Sequence, residues 1–302
     1  MSLMEIILRQ TVSGLIIGSF YALVALGYSM VYGIIKLLNF AHGDIYMTGA
    51  VACLSVFGVL SGIIPGVPGV IFSILAAMVF AGILGWLTQR FAYKPLFGAP
   101  RLSLLITAIG VSLVISNSAM FVTKSRPASF PSVVNNTSGI AIGSITVTYV
   151  QIILIALSAS LMIGLTLFIN KTMAGKAMRA IALDQETSRL MGINVNKIIG
   201  LTFIIGTALA AIAGGFFCVY NGNVSYSMGY AMGIKAFTAA VIGGIGSIPG
   251  AMLGGLLLGL LETMGTQFIG SEWQDAFAFG VLILILIIRP NGLLGKSEIE
   301  RM

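Results

Sequence analysis

Apolar runs of bilayer length recur along almost the whole of this sequence, and that repetition leaves very few folds open. They fall at residues 11–35, 43–60, 69–89, 102–122, 149–169, 198–220, 232–246, 251–269 and 276–288. A helix of roughly 20 apolar residues crosses the hydrocarbon core of a membrane. Inside that core every backbone N–H and C=O must be bonded within the chain, so only helices and closed barrels span it. Barrel strands would read as short alternating segments, whereas these runs are long and continuous. Only 8% of the 302 residues are charged, against about 25% in a soluble domain. The chain is therefore expected to be all-α, a polytopic transmembrane helical bundle forming one domain over residues 1–302. The run at 232–246 is short and broken by glycine. It reads as a half-helix or re-entrant segment, which makes the span count eight or nine.

Charge supplies the orientation. Lys171, Lys176, Arg179, Arg189 and Lys197 crowd one loop, Arg90, Lys94 and Arg101 mark a second, and Arg289, Lys296 and Arg301 lie near the end. Loops rich in Lys and Arg stay cytoplasmic, so these segments and the C-terminus are expected inside. "SRPASFPSVVNNTSG" then belongs to an external loop at 123–147, where its Asn-Asn-Thr-Ser run matches a glycosylation sequon. Counting back through three spans puts the N-terminus outside. The opening "MSLMEIILRQ" lacks the basic region and cleavage site of a signal peptide, so the first helix is expected to be retained. The net charge of +7 follows from the cytoplasmic loops. No basic stretch carries the aromatic interleaving of a nucleic-acid groove, and no nucleic-acid partner is expected. Cys53 and Cys218 lie in apolar segments and read as small packing residues, with no disulfide or metal pattern.

Chemistry-bearing motifs are sparse. His42 is the lone histidine, which precludes a two-histidine metal motif, and no catalytic constellation is present. Gly295-Lys296-Ser297 imitates the end of a phosphate-binding loop. That motif requires glycine five residues before its second glycine, and position 290 is proline. The chain is expected to be no enzyme and to bind no cofactor of its own. Lys36, His42, Asp44, Lys235 and Glu262 are the ionisable residues in or near the apolar runs, where such groups face the bundle interior, a partner or water. His42, Asp44 and Glu262 as a proton relay is one reading. Placement at interfaces or helix ends is the other. Glycine recurs at small-xxx-small spacings, Gly14–Gly18, Gly250–Gly254 and Gly255–Gly259, which let helix backbones approach closely in lipid. Residues 176–190 combine good helix formers with charge. They read as one short amphipathic helix, stopped by Gly192 and followed by a membrane helix capped by Asn194 or Asn196. This segment is either a docking helix or a solvated linker.

"GSFYALVALGYSMVYGIIKLLNFAHGDIYMTGA", from Gly18 to Ala50, closely resembles the signature of a family. It is that of the inner-membrane permeases of bacterial ATP-binding-cassette importers for branched-chain amino acids, the LivH type. "GKAMRAIALDQETSRLMGIN", "FTAAVIGGIGSIPGAMLGG" and "RPNGLLG" continue the resemblance along essentially the whole chain. Relatives in the same family handle urea or short amides. The resemblance implies a homologous second permease, two cytoplasmic ATPase subunits that bind ATP and Mg, and a periplasmic substrate-binding protein. It makes 171–197 the coupling loop, with Gly175, Lys176, Arg179, Asp184, Glu186, Arg189 and Gly192 as candidates. The loop departs from the family's Glu-Ala-Ala form, having Arg179-Ala180-Ile181-Ala182. The resemblance also implies that "NFAHGD" breaks the first helical hairpin and that "GGIGSIPG" holds a similar place in the second half. Asn39, His42, Gly43 and Asp44, with Gly243, Gly244, Gly246, Pro249 and Gly250, are then the candidates for helix breaks near a translocation path. Gly43 is expected to permit the bend, with Asn39, His42 or Asp44 satisfying the backbone it frees. The implied cargo is leucine, isoleucine or valine. A urea or amide importer, an ion-coupled secondary transporter and a membrane scaffold are the rivals.

Overall fold

The computed structural model describes residues 3–131, 133, 138–142 and 145–295. Asn135, Asn136 and Thr137 of the sequon, and Lys296, Ser297 and Arg301, lie outside the described residues. The helices run α1 (Leu3–Ile35), α2 (His42–Leu60), α3 (Val67–Leu87), α4 (Arg101–Val122), α5 (Tyr149–Lys171), α6 (Met173–Leu183), α7 (Gln185–Leu190), α8 (Val195–Asn221), α9 (Met228–Gly243), α10 (Ile248–Phe268) and α11 (Gln274–Ile288). Eight segments among the described residues are long and apolar enough to cross a membrane, and α9 is a shorter apolar helix. The polytopic helical bundle expected from the apolar runs is present. The glycine-broken run at 232–246 resolves into α9, which starts earlier, at Met228, and ends at Gly243.

At 33 residues, α1 is about 50 Å long, and most of its apolar window is buried. It sits at the centre, against α8, α9 and α10. Lipid offers apolar helices no hydrophobic reason to associate, so close van der Waals packing across small residues has to hold them together. Gly14, Gly18 and Ala22 of α1 meet Gly255, Gly259 and Thr263 of antiparallel α10, and a Cβ on Gly18 would stand 2.9 Å from the Leu256 Cα. The other face of α10 packs Gly250 and Gly254 on Gly243 and Ala239 of α9. All three small-residue spacings therefore lie in helix seams. By contrast α3, α4, α5 and α11 are largely exposed, as befits a lipid-facing rim.

Two faces emerge. The Gly27–Gly206 approach and the Phe20 contacts with Phe217 and Tyr220 run α1 antiparallel to α8. The N-terminus therefore lies on the face opposite residues 171–197. On the N-terminal face, β1 (Ala128–Ser129) pairs with β4 (Asn223–Val224), tying the segment after α4 to the end of α8. Beside it β2 (Gly139–Ile142) and β3 (Ile145–Thr148) form a hairpin, so the loop expected after α4 contains strands. Thr148 and Gln151 close a reciprocal cap at the start of α5, satisfying backbone donors that a helix start leaves free.

Replacing Gly18 by leucine is expected to cost about 1–3 kcal/mol by overpacking, read as a lower midpoint of thermal unfolding in detergent. Gly164→Leu, on an open face of α5 with no neighbour within 4 Å, is expected to leave the midpoint in place.

Candidate functional site: a helix break and a polar-face loop

The break between α1 and α2 starts at Lys36, whose φ of +56° turns the chain out of α1. Residues 36–41 then lead back into the bundle. Asn39 organises the turn: its Oδ1 accepts from the Ala41 N–H at 3.1 Å and from the Tyr93 hydroxyl at 2.9 Å. The His42 N–H bonds the Asn39 carbonyl at 3.0 Å. Asn39 thus does what was expected of it. Gly43 does not: its φ is helical, outside the positive-φ set, and it bends nothing. It is glycine because a Cβ there would stand 2.5 Å from the Gly233 Cα of α9. The turn belongs to Lys36, and Gly43 marks a close approach of two backbones.

His42 is buried with its ring edge-on to Tyr28, 4.8 Å between centroids, and lies beside the Val24 carbonyl, Gly27 and Gly206. Gly206 is close to the middle of α8. Asp44 is buried in the first turn of α2. It accepts from Ser112 at 2.5 Å and Ser116 at 3.0 Å, both near the middle of α4. It also lies against Gly229, in the first turn of α9. Two helix N-termini therefore converge on one carboxylate. A helix start carries a positive partial charge, and Asp44 sets a negative group beside both. Ser112, Ser116, Gly229 and Gly233 went unrecognised in the sequence. Their i, i+4 spacing of small residues was the available signal.

Residues 243–250 lie elsewhere. Gly243 and Gly233 are ten positions apart on α9, about 15 Å. Gly243 ends α9, Gly244 and Gly246 turn with φ of +103° and +88°, and Ser247 with Pro249 starts α10, the serine Oγ accepting from Gly250 N–H at 3.2 Å. Gly246 faces Gly33 at the end of α1. "RPNGLLG" folds back onto this turn: Leu293 and Leu294 donate to the Ile242 and Gly243 carbonyls, both at 2.9 Å. Helix C-termini leave carbonyls without partners, and this tail supplies donors for two of them. The two glycine motifs are halves of one contact.

Glu262 bonds Lys235 at 2.8 Å, Tyr21 at 3.0 Å and Gln274, while Lys235 also reaches Asp275 at 3.1 Å. This cluster ties α1, α9, α10 and α11 together. It shares no bond with Asp44 or His42 among the described residues, so no direct chain of side-chain hydrogen bonds joins the three.

The loop at 171–197 holds two helices where one was expected. Asp184 is extended and caps α7, accepting from Glu186 N–H at 2.9 Å and Thr187 N–H at 3.2 Å. The Thr187 hydroxyl, then these N–H groups, holds the Asp184 carboxyl below its ordinary range. That cap is complete above the usual carboxylate pKa and is lost as pH falls through the lowered one. Thr172 caps α6, accepting from Gly175 N–H, and a side chain on Gly175 would strike Ile169. Arg179 turns back to the Ile169 carbonyl and Asn170 Oδ1, bracing the loop on α5. Gly192 takes a φ of +83° as expected of a stop, and Asn194, not Asn196, caps α8. Lys176, Glu186 and Arg189 are exposed. Beside them stand Leu183, Leu190 and Met191, 90%, 88% and 78% exposed.

Removing the Asp44 carboxylate (Asp44→Ala) is expected to cost about 1–2 kcal/mol by uncovering both helix starts. Ser112→Ala is expected to cost roughly 0.6 kcal/mol, one intramembrane hydrogen bond. Thermal unfolding of the purified chain reads both. Equal losses would place the weight on the Ser112 bond instead.

Residues 10–286 match the family described as "Branched-chain amino acid transport system / permease component". The chain is 44% identical over 305 residues to the high-affinity branched-chain amino acid transport system permease protein BraD of Pseudomonas aeruginosa, covering 98% of each. It is 40% identical to the corresponding permease protein LivH of Escherichia coli K12, covering 98% of this chain and 97% of that one. A probable branched-chain amino acid transport permease of Methanocaldococcus jannaschii is 28% identical, covering 93% and 90%. With that family match spanning most of the chain and such identity along nearly its full length, the chain belongs to the permease-component family of branched-chain amino acid transport systems.

Proposed function

We propose that this chain is the membrane-spanning subunit of an ATP-binding-cassette importer that carries leucine, isoleucine and valine across a bacterial inner membrane. The 44% identity to BraD over 98% of both chains carries this reading. The face bearing residues 171–197 is cytoplasmic. Lys94, Arg90, Lys171, Lys176, Arg189 and Lys197 lie there, as the positive-inside rule requires. The N-terminus is periplasmic, the chain is one domain, and 123–147 is its external loop. ATP and Mg bind to two separate ATPase subunits, a homologous permease completes the path, and a periplasmic binding protein delivers cargo.

Residues 171–197 are the coupling loop, and the exposed Leu183, Leu190 and Met191 support it. Large apolar side chains outside the spans have no membrane to cover them, and such patches mark protein contacts. Lys176, Glu186 and Arg189 border them as a polar rim. Arg179, Gly175 and Asp184 hold the shape of the loop, and Gly192 ends it. ATP binding in the partners shifts this loop, and the α5 and α8 ends it joins carry the motion into the bundle. The break at residues 36–44 borders the translocation path, and the turn at 243–250 anchors the cytoplasmic end of α9 and α10.

Cells lacking this chain are expected to lose uptake of labelled leucine. In cells with it, unlabelled valine and isoleucine compete and urea does not. Competition by urea alone would overturn the cargo. Leu183→Asp with Leu190→Asp is expected to strip the ATPase subunits from the purified complex, because two desolvated anchors of about 2 kcal/mol each are lost. Full subunit retention with normal uptake would refute the docking role.

A further inference from the structure

A cleft of about 480 Å³ opens between the end of α3 and the start of α8, on the face that carries the coupling loop. The π-helical turn Thr88–Tyr93 that extends α3 forms one wall. The lining is graded along the helix axes. Arg90, Lys94, Asn194 and Lys197 stand at the end near the face, and Trp86, Leu201 and Ile204 at the deeper end. Ile204 lies nine residues beyond Val195 on α8, about 13 Å along its axis. No carboxylate lines the cleft, so among the described residues its three cations face one another uncompensated.

Gln89 sits between the two ends. It is 3% exposed, and its amide Nε2 has no acceptor among the described residues. A buried polar group without a partner is costly and uncommon. The Arg90 guanidinium lies 5.5 Å from the Trp86 ring centre, which fixes it at the level where aromatic side chains border a bilayer. Outside the cleft Ile83 and Leu87 of α3 and Phe91 of the following turn are exposed.

We propose that this cleft seats the phosphate of an anionic phospholipid from the leaflet at this face, its acyl chains lying along α3 and α8. A phosphodiester brings one negative charge and acceptor oxygens to a cleft of three cations, and the Gln89 amide gains the acceptor the protein does not give it. The polar-to-apolar order of the walls follows the order of headgroup and chain in a lipid. A free phosphate would use only the upper half. The site lies beside Asn194, the cap that joins the coupling loop to α8, so an occupied cleft would hold that junction.

Native mass spectrometry of the full-length chain in detergent, titrated with phosphatidylglycerol or phosphatidylethanolamine, tests the assignment. Phosphatidylglycerol is expected to be retained more tightly. R90Q/K197Q should weaken it about 25-fold, roughly fivefold per cation at a charged interface. K171Q, basic but outside the cleft, should leave it unchanged. Should the double variant fail to fold, K197Q alone at the exposed rim is expected to lose about fivefold. Equal retention of the two lipids, or wild-type affinity in K197Q, would overturn the proposal. So would inorganic phosphate raising the thermal midpoint as far as phosphatidylglycerol does, since that marks a free-anion site.

Discussion

The contact between α1 and α10 is the constraint on which the rest of the bundle depends. Two backbones approach along a seam of glycine, alanine and threonine. In water, leucines would do this work by leaving solvent. In lipid they gain nothing by leaving hydrocarbon, and short-range packing must carry the association. Because α10 uses one face for α1 and the other for α9, the small-residue seams fix three helices at once. Helix α8 closes on the same centre through Gly206. The rim, where α3, α4, α5 and α11 meet lipid, also carries large apolar residues.

The break before α2 shows what irregular backbone requires inside such a bundle. Leaving α1 frees carbonyls and N–H groups that no water can satisfy. The Asn39 side chain, itself held by the Tyr93 hydroxyl, and the Asn39 carbonyl take up part of this need locally. The charge of the helix starts is met at a distance, by placing Asp44 where α2 and α9 converge. The short length of α9 follows from the same arrangement: it begins inside the fold against Gly43 and runs to the face where α10 begins. That face is then sealed by the tail after α11, whose amides take the last carbonyls of α9.

The loop at 171–197 divides its residues by task. Thr172, Gly175, Arg179 and Asp184 set its shape, through two caps, one close approach and one brace. Lys176, Leu183, Glu186, Arg189, Leu190 and Met191 remain turned outward. Pattern alone marks the loop as amphipathic without assigning these tasks, because a guanidinium turned back on a helix end and one offered to a partner look alike in sequence. Asp184 breaks the segment in two because its side chain satisfies the N–H groups that a continuous helix would have bonded to its own carbonyls.

The sequence by itself determined the class of fold and the approximate place of the spans, with their number left at eight or nine. It also marked the glycine pairs that became seams. These follow from local rules: a membrane demands about 20 apolar residues per helix, and charge avoids hydrocarbon wherever it stands. Only the tertiary structure decided which segments meet. It put Gly43 against Gly233 and gave the bend to Lys36. It joined Asp44 to Ser112 and Ser116 and separated both from Glu262. It matched 243–250 with 291–295 and not with the break at 36–44. Those pairings join residues far apart in the chain: a spacing of small residues marks a close face, and a glycine admits close contact, without naming the partner.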